Sequence, residues 1–289
     1  MERSNPTMPA RQLAKELKRL REASGLTQLE VGRDHVGCPS TTISKIETGE
    51  RNVPEPHLRL MLQCYNVQPA HAAALVVLAK QAREPGWWRT RAFTVPKWFD
   101  EYLGLETAAT AADTYESEYV PGLLQTPRYI EAILVSTAGS SNNSEGAAAV
   151  RTTRQQRPTS DNPLTVRTIL NEAVLWRPIG SAEVLREQLA ALRVAAESNP
   201  NVTLRVLPFS AGAHPGMTGP FTILRFPEEA MDVVFIELRG DAVYRDRAGD
   251  LQQYTEVFER LSSLALSEFD TISLLADMER RYIVGVAQE

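Results

Sequence analysis

The chain of 289 residues carries 36 Asp+Glu against 31 Lys+Arg, a formal net charge of −5, with 43% hydrophobic and 23% charged residues. That composition is ordinary for a folded soluble protein of about two domains. The longest apolar run, residues 72–79, is far too short to span a bilayer, and two cysteines, Cys38 and Cys64, without a CxxC pair exclude a disulfide framework.

The first seventeen residues have no apolar core of a secretion signal, so a cytoplasmic location is expected. The charge is unevenly divided. Residues 1–95 hold 14 Lys+Arg and 9 Asp+Glu, whereas residues 96–289 hold 17 and 27. The field at a surface is set by charge within roughly 10 Å, so the basic N-terminal piece can meet phosphate while the acidic remainder weakens non-specific binding.

Leu13, Leu17 and Leu20 stand at helical spacing in residues 10–24, and Gly25 suits the left-handed position that ends a helix. Thr27 followed by Glu30 reads as a capping box that opens a second helix. In it Val31 faces the core, and Gly32 sits where a side chain would collide with a crossing helix. A third helix, about Ser40–Thr48, turns Ile43 and Ile46 inward and Ser40, Thr41, Ser44 and Lys45 outward. A fourth spans Pro54–Tyr65 with Asn66 as its cap, and a fifth spans Pro69–Arg83.

Two short helices around a tight turn make a helix-turn-helix. Residues 10–67 resemble the Cro/C1-type (XRE) DNA-binding family through "GLTQ", Gly32, the turn at Gly37, and "TISKIETG" followed by "RN". The resemblance implies that Gln28 meets a phosphate or base edge, that Ser40, Thr41, Thr42, Ser44 and Lys45 face the major groove, and that Arg51 and Asn52 touch phosphate. It also implies a buried ion pair between Arg21 and Glu47. This chain departs from the family twice: an extra residue lies between Gln28 and Gly37, near Arg33–His35, and Pro39 occupies the N-cap position without a side-chain acceptor. The competing reading is a five-helix bundle used for protein contacts.

Residues 85–96 read as a structured linker, with Trp87 and Trp88 pinning one domain to the other or filling a dimer seam. Beyond it, a helix is expected over residues 97–109, a β-tolerant stretch over 114–120, and a helix from Thr126–Pro127 to about Val135. A polar loop spans 136–146, and a further helix carries Arg151, Arg154 and Arg157 on one face. Strand, helix and strand over residues 164–209 suggest a parallel crossover, and "GPFTILRF" with "DVVFIELRG" an antiparallel pair, to which "AVYRD" adds. Two helices close the chain, at about Asp250–Leu266 and after a Ser267–Asp270 box. Asp246 or Asp250 is expected to cap the first.

The expected fold is thus an N-terminal all-α helix-turn-helix bundle (residues 8–84) plus a C-terminal α+β domain with a mixed sheet (residues 97–287). Across residues 97–285 the stretches "YVPGLLQTPRYI", "NEAVLWRPIGS" and "LPFSAGAHPGMTGPFTILRF" resemble the antitoxin-like regulators of the actinobacterial Scr1 family, the WhiJ-like group. The resemblance implies transcriptional control and a small partner protein encoded alongside, with no known ligand or reaction.

No nucleophile signature, phosphate-binding glycine loop or zinc spacing is visible, so no enzyme activity, cofactor or metal is expected. His214 reads as a loop residue, and Glu172 with Arg177 as a strand-end ion pair. Glu172, Arg177, His214, Met217 and Phe221 are the candidate partner- or ligand-binding residues. The expected partners are double-stranded DNA bearing a short inverted repeat, a second copy of the chain, and, by the resemblance, that small protein; no membrane contact is expected. The alternative is an antitoxin-type protein that sequesters its partner and binds DNA only to regulate its own operon.

Overall fold

The computed structural model describes residues 8–83, 97–138, 150, 152–160, 163–227 and 231–286. The linker reading, including Trp87 and Trp88, lies outside the described residues, as does most of the polar loop. The chain packs as two compact units, one made by the helices up to Ala108 and the other beginning at Ala109.

The first unit contains α1 (Met8–Ala23), α2 (Gln28–Glu30), α3 (Ser40–Glu47), α4 (Glu55–Cys64), α5 (Pro69–Gln81) and α6 (Lys97–Ala108). Leu13 and Leu17 of α1 pack with Ile43, Ile46, Leu58, Met61 and Leu75 in one apolar cluster. That burial draws the helices together, because each presents an apolar stripe no single helix can hide. The ends follow from local chemistry. Thr27 accepts from Glu30 N–H while Glu30 accepts from Thr27 N–H at 2.8 Å, a complete capping box. Gly25, Gly37 and Gly49 all take positive φ, and Asn66, at φ 55°, is the single described non-glycine residue that does so. By packing, α6 belongs to this unit, and its Glu101 pairs with Arg11 at 3.6 Å.

The second unit is built on a six-stranded mixed sheet in the order β3-β2-β1-β4-β5-β6. The strands are β1 (Ala111–Glu116), β2 (Thr165–Asn171), β3 (Val202–Leu207), β4 (Phe221–Arg225), β5 (Val233–Leu238) and β6 (Asp241–Arg245). β1, β2 and β3 are parallel, while β4 runs antiparallel to β1 and β5 and β6 follow as an antiparallel meander. The expected crossover and hairpins are present. The β-tolerant stretch placed at 114–120 is shifted: the strand begins at Ala111, because "AADTYE" fills the centre of the sheet and is buried on both faces.

Helices cover both faces. α7 (Pro127–Ala138), α8 (Ala182–Ser198) and α10 (Glu268–Val286) bury Tyr129, Leu185, Leu189 and Leu275 with Leu170, Leu204 and Val206 on one side. α9 (Ala248–Leu264) sets Phe258 and Leu261 against Tyr115, Ile169, Ile223 and Val234 on the other. The N-cap position of α9 falls on neither Asp246 nor Asp250. Arg247 is the N-cap residue without a side-chain bond, and Asp250, the third residue of the helix, pairs with Arg245 at 3.5 Å. Of the arginines expected on one helical face, Arg154 is buried and Arg157 donates to Ala109 O at 3.0 Å; both serve the interior.

Candidate functional site

Three features set the geometry of the helix-turn-helix. The first is the extra residue. Residues 31–36 form a π-helix continuous with α2, and the Gly37 N–H closes it on Gly32 O. A π-turn takes one more residue than an α-turn over the same rise, so the insertion is absorbed as a bulge rather than as a longer loop. Val31, Gly32 and Val36 remain buried, and the added length appears outside as exposed Arg33, Asp34 and His35. Arg33 and Asp34 pair with each other at 2.6 Å.

The second is Gly32. A Cβ there would lie 2.5 Å from Cys38 O and 3.3 Å from Ser40 N. The obstacle is the turn that launches α3, not the face of a crossing helix. Only glycine lets this turn close down on α2.

The third is a buried charge cluster. Glu47, whose side chain is 1% exposed, receives Arg21 Nε at 2.6 Å and Arg21 Nη2 at 3.0 Å. The Arg21 Nη1 donates to Leu26 O at 2.9 Å. The paired carboxylate holds the guanidinium pKa above its usual value. Gln28 joins in: its Nε2 donates to Glu47 Oε2 at 2.8 Å. The residue expected to meet phosphate is thus also the link between α2 and the last turn of α3.

On this frame α3 begins after Pro39, whose side chain offers no cap. Thr41 and Lys45 are exposed, Ser40, Thr42 and Ser44 are half-buried, and Arg51 and Asn52 are exposed just beyond. The Arg51 N–H donates to Lys45 O at 3.0 Å, which fixes the chain leaving α3 beside its last turn.

In the second unit the expected Glu172–Arg177 ion pair is not formed. Arg177 pairs with Glu118 at 2.7 Å. Glu172 accepts from Phe209 N–H at 2.8 Å and from Trp176 Nε1 at 3.1 Å, because β2 ends at Asn171 and one helical turn, Ala173–Trp176, separates the two residues. Phe209, Met217 and Trp176 are exposed. Phe221 is not on the loop rim: it is buried in β4 between Tyr115 and Tyr254. His214 stands edge-on to the Tyr115 ring, 6.0 Å between centroids, and Gly216 lies so close to that ring that a Cβ would meet it at 2.6 Å. The 212–221 loop is thus seated on Tyr115, with only part of its rim free.

Sequence reasoning passed over the charged residues inside this sheet. Asp113, 1% exposed on β1, accepts from Arg167 at 2.7 and 2.8 Å and from Arg225 at 3.0 Å. Arg225 continues to Asp232 at 3.0 Å and to Thr255 at 2.9 Å. Glu116, at the end of the same strand, has an enclosed Oε2 with no hydrogen-bond partner, and Gln125 has an enclosed, unpartnered Oε1. The one hint in the sequence was an acidic residue at each of two strand positions in "AADTYE".

Residues 12–75 match a helix-turn-helix domain, and residues 99–277 match a domain of unknown function, DUF5753. The chain belongs to the DUF5753 family. No curated protein and no solved structure matches it. The DUF5753 match begins inside α6, which packs with the helix-turn-helix unit. The helix-turn-helix places the protein among DNA-binding regulators. Among the described residues no helix is long and apolar enough to cross a membrane.

Proposed function

We propose that this DUF5753 protein is a Cro/C1-type transcriptional regulator of the antitoxin-like, WhiJ-like group, working in the cytoplasm as a homodimer on a short inverted repeat. The observation that carries the reading is the braced recognition helix. Arg21, Gln28 and Glu47 tie α1, α2 and α3 into one rigid piece, while Thr41, Lys45, Arg51 and Asn52 stay exposed on a basic segment. A rigid helix with free polar side chains and a positive surround is what base-edge reading needs.

Ser40, Thr41, Thr42, Ser44 and Lys45 are assigned to the groove, and Arg51 and Asn52 to phosphate. Gln28 is assigned to phosphate through the amide hydrogen that Glu47 leaves free. Short hydroxyls make modest base contacts, so Lys45 is the main direct reader and backbone contacts set much of the affinity.

The test is selection of binding sites from a random duplex pool, followed by fluorescence-anisotropy titration at several salt concentrations. The expected result is an inverted repeat with half-sites about one helical turn apart, bound more tightly than random duplex, with log K falling linearly in log salt. Equal affinity for selected and random duplex would end the regulator reading.

A second reading is favoured by one observation. Glu172 braces two exposed aromatic residues, Trp176 and Phe209, and Met217 is also exposed. Aromatic and methionine side chains held outward suit a protein partner. In this reading the second unit captures a small partner protein, and DNA binding serves autoregulation. Stoichiometric co-purification of a small protein that is lost in Trp176→Ala/Phe209→Ala separates this reading from a free-standing regulator.

A further inference from the structure

We propose that the end of β1 in the second unit binds an organic cation carrying N–H donors, a primary ammonium or a guanidinium, through Glu116 and Gln125. The sheet order puts β1 at the point where the chain turns from building towards β3 to building towards β6, and β1, β2 and β3 all end at the same edge. Ligands of open sheets collect outside the carboxyl ends of parallel strands at such a point.

Two acceptors are left without donors there. The first is Glu116 Oε2, at the last residue of β1, enclosed although the residue as a whole keeps some contact with solvent. The second is Gln125 Oε1, on a side chain that is buried with its residue only 5% exposed. Its identity as an oxygen follows from its neighbour. The other amide atom faces Val120 O at 2.6 Å, and a carbonyl only accepts, so that atom is the NH2 and the orphan is the oxygen. Val120 joins the two places: it follows β1 in sequence, and its N–H donates to Tyr129 at 3.2 Å while its C=O receives Gln125.

Unpaired buried acceptors cost more than they return unless something donates to them. The surrounding charge selects the donor. Burial first, and then the charges of Glu237 and Glu118, push the Glu116 carboxyl up to about 8; Tyr115 and Tyr129 are the other titratable groups beside it. The nearby cation Arg177 pairs with Glu118 at 2.7 Å. A positively charged donor is therefore favoured by Glu237 and by the Glu116 carboxylate once it is free, whereas a carboxylate or phosphate ligand would be repelled. Among the described residues no three His, Cys, Asp or Glu side chains stand together as a metal site. An organic cation suits such acceptors, because a guanidinium or a primary ammonium carries several N–H groups and can donate to more than one of them.

At neutral pH the Glu116 carboxyl holds a proton that the ligand must displace into solvent. Affinity should rise with pH, by up to about tenfold per unit, and level off above about 8 where the carboxylate is already free.

Isothermal titration of the full chain with propylguanidinium and n-butylammonium, against tetramethylammonium at the same ionic strength, tests the idea. Saturable one-to-one binding of the two donors but not of tetramethylammonium is expected. At pH 7 the heat should vary with buffer ionisation enthalpy, reporting a released proton, and Glu116→Gln or Gln125→Leu should weaken binding about tenfold or more. No saturable heat up to ~10 mM, equal binding of tetramethylammonium, or heat independent of buffer each overturns the proposal. The last two outcomes need no variant, so a misfolded Glu116→Gln leaves the test intact. DNA binding plays no part in it, so a failure here and a failure of the regulator reading are told apart.

Discussion

Each unit buries a carboxylate among arginines, and the two clusters differ in how the chain assembles them. In the first unit Arg21, Gln28 and Glu47 come from three successive helices, 26 residues apart at most. In the second, Asp113 meets Arg167 and Arg225, 54 and 112 residues away, and the meeting depends on the register of three strands. A cluster built from neighbouring helices ties together elements whose ends are already set by caps and glycines. A cluster built from distant strands has no local support, so it can itself hold the register. The first cluster stiffens a recognition surface; the second fixes the centre of a sheet.

The sharpest way to break that contrast is to remove each carboxylate. Taking one partner from a buried ion pair typically costs 3–5 kcal/mol, because the remaining charge stays buried without a counter-ion. Asp113→Ala takes the shared carboxylate from Arg167 and Arg225, which keep Glu259 and Asp232, and should reach the low end of that range. Glu47→Gln keeps an amide that can still accept from Arg21, so its cost should fall below it. Thermal unfolding of the full chain measures both. Hydrogen exchange should place the loss in the second unit for Asp113→Ala and in the first for Glu47→Gln. If Glu47→Gln loosens the sheet as much as Asp113→Ala does, the division of labour is wrong.

The same contrast explains what could be read in advance. Thr27, Glu30, Gly25, Gly37 and Asn66 act on residues within a turn or two of themselves, so the helices of the first unit and their limits were legible. So was the Arg21–Glu47 pair, through the family pattern. The π-turn was visible only as a surplus residue, because its hydrogen bonding depends on how tightly Gly32 lets the following turn approach. In the second unit the strands were legible from their apolar runs, but their neighbours were not. The pairing of Arg177 with Glu118 instead of Glu172, and the burial of Phe221, follow from the sheet order and from one helical turn after β2. Asp113 and Glu116 gave no more than the hint of acidic residues within a strand, and Gln125 gave none, since an isolated acidic or amide residue in a strand or turn looks the same in sequence whether it is buried or wet.

Two glycines sharpen the comparison at the next level of effect. Gly32→Ala sets a methyl 2.5 Å from a backbone oxygen, and Gly216→Ala sets one 2.6 Å from the Tyr115 ring. Overpacking of this kind costs about 1–3 kcal/mol. The destabilisations should be similar and the consequences different. Gly32→Ala displaces the start of α3 and should lower affinity for a selected operator, whereas Gly216→Ala should leave that affinity unchanged. Chemical denaturation paired with anisotropy titration reads both. Equal affinity in the two variants would mean that the turn does not set the recognition helix.

A third test stays on the surface of α3. Lys45→Ala should cost about 1–3 kcal/mol of operator binding and relax preference at one base pair, and it should leave stability almost untouched. Arg51→Ala should instead weaken selected and random duplex alike and lower the salt slope by about one. If Lys45→Ala behaves like Arg51→Ala, then Lys45 touches phosphate, and reading falls to the hydroxyls and to DNA shape.

The smallest expected effect concerns the two caps. Thr27 opens α2 and Ser267 opens α10, and each hydroxyl oxygen accepts from a backbone N–H three residues on, at 3.2 and 3.1 Å. Replacing either with Ala should cost about 1 kcal/mol at pH 7. Their pH behaviour gives the finer comparison. The Glu30 carboxylate accepts from both the N–H and the hydroxyl of Thr27, and these bonds hold its pKa below the usual carboxylate value. A carboxylate depressed in the folded state contributes stability that is full above its unfolded pKa and is lost as pH falls through the folded one. The difference between the parent chain and Glu30→Gln should therefore be constant from pH 7 to about 5 and shrink below about 4. Urea denaturation at pH 7, 5 and 3.5, followed at the first unit by hydrogen exchange, measures it. A difference that persists unchanged at pH 3.5 would show that Glu30 acts through its shape or helix propensity, and that the capping box contributes no charge-assisted bond.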